Sequence, residues 1–114
     1  MYTYKVIVNR VIDGDTLDID VDLGFDVWVR GIIIRLNRIN AYETRLGIHT
    51  DARTKEKGLE AKKYLKTLLE NKEAIITTLD TKEKFGRWLG EVYLNDLNIN
   101  DDLVTKGFAI YQKY

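Results

Sequence analysis

Five polar side chains of this 114-residue chain have the types and spacing to do chemistry: Asp15, Arg35, Asn40, Glu43 and Arg87. Asp15 follows "DG", a turn pair whose glycine can take a positive φ. Arg35, Asn40 and Glu43 belong to "RLNRINAYETR", directly after the apolar run "GIII", so the charges arrive as the chain leaves a buried strand. Arg87 follows the glycine of "KFGR". Two carboxylates and an amide oxygen make an oxygen-rich set suited to a hard cation such as Ca²⁺. Two guanidinium groups can each grip phosphate oxygens through two parallel hydrogen bonds. A cation, a carboxylate and two arginines would suffice for phosphodiester hydrolysis. The same residues also suit ordinary ion pairing at strand ends, and spacing alone leaves both readings open.

The elements that must position them follow from periodicity. "YKVIVNRV" reads as a first strand. "TLDIDVDL" alternates strictly, with Leu17, Ile19, Val21 and Leu23 on one face and Asp18, Asp20 and Asp22 on the other, so it reads as a half-buried strand with a solvated acidic face. "VWVRGIIIRLNRI" returns as one long strand after the turn "GFD". Asp51 to Leu69 is expected to be helical, with Ala61, Leu65, Leu68 and Leu69 as an apolar stripe beside Lys62, Lys63 and Lys66. "EAIITTL" and "RWLGEVYL" are two further strands joined by the polar loop "DTKEKFG". "NINDDLVTKG" is a short helix: Asn98 or Asn100 can cap it, Asp101 and Asp102 suit its positive end, and Gly107 suits its C′ position. Three strands, a helix, two strands and a small helix predict an α+β, mainly β domain over residues 1–114. Its architecture is a five-stranded barrel of the OB type, with a helix between strands three and four and a short C-terminal helix.

Composition narrows the classes. The chain is 45% apolar and 32% charged, which is globular. No apolar run approaches membrane-spanning length, and the start lacks signal-peptide character, so no membrane association and a cytoplasmic location are expected. With no cysteine, disulfides and thiolate metal sites are excluded. Formal net charge is zero, so any contact with nucleic acid must come from local clustering or a bound metal.

Five pieces in order, "VIDGDT", "IRLNRINAYET", "KEKGLEAKKYLKTLL", "KFGRWLGEVYL" and "INDDLVTKGFA", resemble the staphylococcal nuclease-like (thermonuclease) family over nearly the whole chain. The resemblance implies an OB barrel with flanking helices and a Ca²⁺-dependent nuclease that cuts DNA and RNA to leave 3′-phosphates. By position it implies that Asp15, Asn40 and the Ala41 backbone carbonyl hold Ca²⁺. Glu43 would activate water, and Arg35 and Arg87 would bind phosphate. Lys84 and Phe85 fall where the family has a lysine and a tyrosine near the substrate's terminal phosphate.

Several positions depart from the family pattern. Asn40 stands for an aspartate and so loses a negative charge. Tyr42 stands for a proline, and Phe85 lacks a hydroxyl. The hairpin "VDLGFDVWVRG" is longer, and the chain stops before the family's last helix, so part of the family's nucleotide-pocket wall is expected to be missing or supplied by a partner chain.

The remaining chemistry-bearing residues have plainer readings beside functional ones. Tyr111 and Tyr114 can stack on bases of single-stranded DNA or RNA, or simply pack. His49 is the only histidine and lacks neighbours for a histidine site. Trp28 and Trp88 read as packing or as a surface for assembly. The expectation is an active metal-dependent nuclease. The alternatives are a module of the same fold that binds nucleic acid or protein without cleaving, and a structural barrel that assembles through the tryptophans and the long hairpin.

Overall fold

A computed structural model describes residues 1–42, 52–82 and 86–112. In chain order these form β1 (Tyr2–Asp13), β2 (Thr16–Asp22), β3 (Trp28–Leu36), β4 (Ile39–Ala41), α1 (Ala52–Leu69), β5 (Glu73–Lys82), β6 (Trp88–Leu94), β7 (Leu97–Asn98), α2 (Ile99–Thr105) and β8 (Ala109–Tyr111). Strand β1 pairs antiparallel with β2 and β5, β2 with β3, and β5 with β6. The ring closes through a parallel seam in which Ile34, Arg35 and Leu36 lie opposite Trp88, Leu89 and Gly90. This is the five-stranded OB-type barrel that the element order predicts.

Closure depends on a glycine. A Cβ on Gly90 would come 2.3 Å from Ile34 Cδ1 and 3.2 Å from the Thr77 carbonyl oxygen. A side chain there would have to displace the end of the Ile34 side chain on β3 and crowd the Thr77 carbonyl on β5. The inward faces of the barrel fill with small branched residues, among them Val6, Val8, Leu17, Ile19, Ile34, Leu36 and Val92. Helix α1 lies along β1 and adds Ala61, Leu65 and Leu69, spaced four residues apart on one face, to the buried set. A second close approach fixes where α1 meets the barrel. A Cβ on Gly14 would lie 2.9 Å from Ala41 Cβ and 3.3 Å from Ala61 Cβ. The turn before Asp15, strand β4 and the middle of α1 are therefore packed against one another without spare room. Among the described residues no helix is long and apolar enough to cross a membrane.

The structure departs from the sequence reading in four places. The long third strand is broken: β3 ends at Leu36, Arg38 takes φ +67°, and β4 leaves the barrel to pair with β8. Ala109–Tyr111, assigned to no element by the sequence pattern, forms β8 and supplies that partner strand. Strand β5 continues to Lys82, into the stretch read as a polar loop.

The acidic face of β2 is not simply solvated either. Asp20 is 7% exposed, and its carboxylate accepts hydrogen bonds from Asn9 Nδ2 (2.8 Å), Gly31 N (3.0 Å) and Arg30 Nη1 (2.7 Å). The β2–β3 register slips at this point, between Ile19 and Val21, and Gly31 has φ +70°. Asp20 thus satisfies the donors that a β-bulge turns away from the ladder. Finally, Asn98 alone caps α2, accepting from Asp101 N at 3.1 Å, while Asn100 is fully buried. Gly107 follows the helix with φ +83°, as its C′ assignment requires.

Candidate active site

Asp15 and Arg35 meet where β2 begins and β3 ends. Thr16 lies opposite Arg35 in the antiparallel ladder, and Leu36 N donates to the Asp15 carbonyl at 2.8 Å, so the pair is fixed by register. Both residues are buried, at 8% and 6% exposure. Asp15 Oδ2 lies 3.1 Å from Arg35 Nη2 and accepts from Ala41 N at 3.0 Å, while Asp15 Oδ1 accepts from the Thr16 hydroxyl at 3.1 Å. Arg35 Nη1 donates to the carbonyls of Leu36 (2.8 Å) and Ile39 (2.9 Å), and Nη2 donates to Asn40 Oδ1 at 3.1 Å. The β3–β4 turn bends the chain so that these two carbonyls and Asn40 wrap the guanidinium. Asp15, Arg35, Asn40 and Ala41, four of the residues singled out by sequence, are therefore brought together. Ala41 presents its N–H to Asp15 there. No buried side-chain polar atom among the described residues lacks a hydrogen-bond partner.

Arg87 follows Gly86 (φ +84°) and precedes β6. Leu89 lies opposite Arg35 in the parallel seam, so Arg87, two residues before Leu89 and just ahead of β6, is close in the chain to that seam. Glu43, His49, Lys84, Phe85 and Tyr114 lie outside the described residues.

A second polar network buttresses this rim. Arg38 Nη2 contacts Glu91 Oε1 at 2.5 Å and Asp101 Oδ1 at 3.0 Å. The Tyr111 hydroxyl donates to Asp101 Oδ1 at 3.0 Å, and the Arg38 guanidinium lies 5.9 Å from the Tyr111 ring centroid. Arg38 holds the Glu91 carboxyl below its ordinary value, and the hydrogen bond to Asp101 pushes the Tyr111 phenol up. Tyr111, proposed from sequence as a stacking residue, is thus anchored at one end while its ring stays exposed.

Asn100, considered from sequence only as a cap, has the larger role. Its Nδ2 donates to the carbonyls of Asn37 (2.9 Å) and Gly90 (3.1 Å), and its Oδ1 accepts from Val92 N (3.1 Å). It ties the β3–β4 turn to β6 from beneath the rim. The sequence held a signal: Asn100 shares the helix face of Leu103 and Val104, an apolar face on which an amide must find partners.

Trp28, at the start of β3, and Trp88, opposite Ile34 in the parallel seam, are both half-buried. Arg30 lies over Trp28, 5.7 Å from its ring, and Lys82 over Trp88 at 4.7 Å. Trp88 lines an apolar cavity of about 460 Å³ with Tyr2, Tyr4, Leu23 and Val29.

A carboxylate and an amide oxygen are the donor types an oxygen-preferring cation takes, and here both face the Arg35 guanidinium. Two hard oxygens, Asp15 Oδ2 and Asn40 Oδ1, each lie 3.1 Å from the same nitrogen of Arg35. Among the described residues no three acidic, histidine or cysteine side chains converge, so the set there is one carboxylate and one amide.

The family model described as staphylococcal nuclease homologue matches residues 33–114, from within β3 to the chain end. Over 111 residues the chain is 32% identical to Endonuclease YhcR of Bacillus subtilis (strain 168), covering 93% of this chain and 9% of that protein. It is 30% identical over 109 residues to an uncharacterized endonuclease of Escherichia coli O157:H7 and to another of Escherichia coli, covering 94% of this chain and 61% of each. The chain thus spans less than two thirds of the length of these relatives. With the barrel, the order of its elements and the family match in agreement, the chain belongs to the staphylococcal nuclease homologue family.

Proposed function

We propose that this chain is a cation-assisted endonuclease that hydrolyses phosphodiester bonds of DNA and RNA and leaves 3′-phosphates. One observation carries the reading: buried Arg35, held by two backbone carbonyls, gathers Asp15 and Asn40 beside the seam that β3 makes with β6, the strand that follows Arg87. Ca²⁺, held by the Asp15 and Asn40 side chains and the Ala41 carbonyl, would neutralise phosphate charge as a Lewis acid.

The chain's own residues divide the remaining tasks. Arg35 and Arg87 bind the phosphate oxygens, and bind best as the transition state adds charge. Arg35 donates through both Nη atoms to Leu36, Ile39, Asn40 and Asp15, so it takes hold of phosphate by exchanging one of these acceptors. Glu43, two residues beyond Ala41, takes the proton of the attacking water. The oxygen of that water bonds to phosphorus, the bond to the 5′-oxygen breaks, and the departing oxygen takes up a proton from solvent. Lys84, Phe85, Tyr111 and Tyr114 flank the substrate, the tyrosines offering rings to unpaired bases.

Incubation of heat-denatured DNA and of RNA with Ca²⁺, with and without chelator, tests the reading. The expected outcome is chelator-sensitive cleavage with 3′-phosphate ends. One observation favours a second reading, a module that binds nucleic acid without cutting it: Arg35 already neutralises Asp15, and Asn40 brings no charge. Chelator-insensitive binding with no cleavage at millimolar Ca²⁺ would select that reading.

A further inference from the structure

The neutral net charge of the chain hides an uneven distribution. Helix α1 carries Arg53, Lys55, Lys57, Lys62, Lys63 and Lys66 against Glu56 and Glu60, six basic residues to two acidic, a surplus of four. The rest of the chain therefore carries the opposite surplus. Part of it lies on β2, at Asp18 and Asp22, while Asp20 between them is buried and paired with Arg30. None of the five α1 lysines forms a salt bridge with a described residue, in contrast to Arg30, Arg35 and Arg38. Their charge is left for something outside the fold.

Lys55, Lys62 and Lys66 fall at helical spacings of seven and four, so they share one side of α1 over about 16 Å of helix. This side is joined to the rim. Lys62 N lies 3.9 Å from the Cβ position of Gly14, the residue before Asp15. On the other flank of α1, Lys57 Nζ stands 5.1 Å from the ring of Tyr42, the residue after Ala41. The charged face thus begins beside the cluster that gathers Asp15, Arg35 and Asn40.

We propose that the Lys55–Lys62–Lys66 face of α1 is a backbone-tracking surface that carries single-stranded nucleic acid onward from the arginine rim. The inference rests on the nuclease reading and names how its substrate runs. A polyanion gains from each unpaired lysine by releasing a condensed counterion, and this gain is independent of sequence. The six-to-two basic surplus of α1 favours a path over the helix. Affinity then grows with strand length although the chain as a whole is neutral.

Fluorescence anisotropy of the full chain in chelator, with labelled oligothymidylates, tests this. Wild type is expected to bind a long oligomer more tightly than a tetranucleotide, with a log–log salt slope that the Lys55→Gln/Lys62→Gln/Lys66→Gln variant reduces by about 2, roughly 0.7 per lysine. The matching triple Lys→Arg variant keeps charge and should keep the slope. An unchanged slope and affinity in the glutamine variant would show a merely solvated face and overturn the proposal. So would an unchanged slope accompanied by loss of binding to vesicles of phosphatidylcholine and phosphatidylserine, which would assign the face to a lipid surface. If wild type binds neither oligomer, the nuclease reading itself falls and takes this proposal with it.

Discussion

Asp15 and Asp20 lie five residues apart along β2 and the turn before it, and their arginines, Arg35 and Arg30, lie five apart on β3. Each carboxylate pairs with its arginine across the same two strands, and each pair recruits an asparagine, Asn40 in one set and Asn9 in the other. The residue types are identical, yet the two sets are built in opposite senses. In the bulge set, the donors of Asn9, Gly31 and Arg30 surround a carboxylate, and the Arg30 side chain is 71% exposed. In the rim set, oxygens of Asp15, Asn40, Leu36 and Ile39 surround a guanidinium whose side chain is 7% exposed. Asp15, like Asp20, accepts from three donors, so what distinguishes the rim set is that a second side-chain oxygen, from Asn40, meets the same guanidinium nitrogen and two hard oxygens are brought together. The difference lies in the backbone beneath: a bulge turns an N–H toward Asp20, whereas the turn at Arg38 brings carbonyls around Arg35.

Exchanging arginine for lysine in each set should separate the two most widely. Lysine keeps the charge but loses the planar two-point contact. Arg35→Lys is expected to lower turnover of denatured DNA by about 10²–10³-fold, the range for losing a donor to transition-state charge. Arg30→Lys should leave turnover within about twofold. Steady-state assays on both variants, with melting curves to confirm folding, decide it. Equal losses would mean that Arg35 acts only through stability.

The asparagines should separate by cation binding. Asn40→Asp adds a charge to the oxygen-rich set, which is worth about 1 kcal/mol or more near a cation. Ca²⁺ binding should therefore tighten at least severalfold in calorimetry. Asn9→Asp puts a third carboxylate beside Asp18 and Asp20, where no oxygen cage exists, and should not tighten Ca²⁺. If both aspartate variants behaved alike, bulk charge rather than the rim set would govern the ion. Stability reverses the ranking: Asp20→Ala strands the bulge N–H of Gly31 and should lower the melting midpoint by roughly 5 °C or more, with rate per folded molecule unchanged.

How much of this was legible depended on whether the signal was periodic or geometric. The alternation of β2 and the four-residue spacing of Ala61, Leu65 and Leu69 are carried by the residues themselves, so barrel and helix follow from pattern. The break at Arg38 does not, because an arginine with φ +67° looks like any other arginine in "RLNRI". Strand β8, three residues long, is too short for periodicity to mark it and exists because β4 needs a partner. The burial of Asp20 was hidden by alternation that placed it on a solvated face. Gly31 inside a strand was the available warning of a bulge. At the rim, residue types and family likeness pointed to Asp15, Arg35 and Asn40. The contact of Asp15 with Arg35 was not visible, because it depends on the register that sets Thr16 opposite Arg35.

Acid should probe the bulge set on its own. The Asn9 amide first, and the Gly31 N–H next, hold the Asp20 carboxyl below its ordinary value of 3.8. A group whose pKa is lowered by folding gives stability that is complete above its unfolded value and is lost as pH falls through the folded one. Wild type should therefore lose melting temperature from Asp20 only below about pH 4, as protons are forced onto a carboxylate that folding keeps ionised. Glu91, held low chiefly by Arg38, adds to the same acid loss from the other side of the molecule. Asn9→Ala removes the main cause at Asp20 and leaves Glu91 untouched. Its melting temperature should start a few degrees lower at neutral pH and fall less steeply in acid, so that the two curves converge toward about pH 2. Circular dichroism melts across that range read the result directly. Parallel curves would show that Asn9 stabilises the strand pair without acting through the Asp20 charge, and the contrast between a saturated carboxylate and an oxygen-lined guanidinium would lose its electrostatic half.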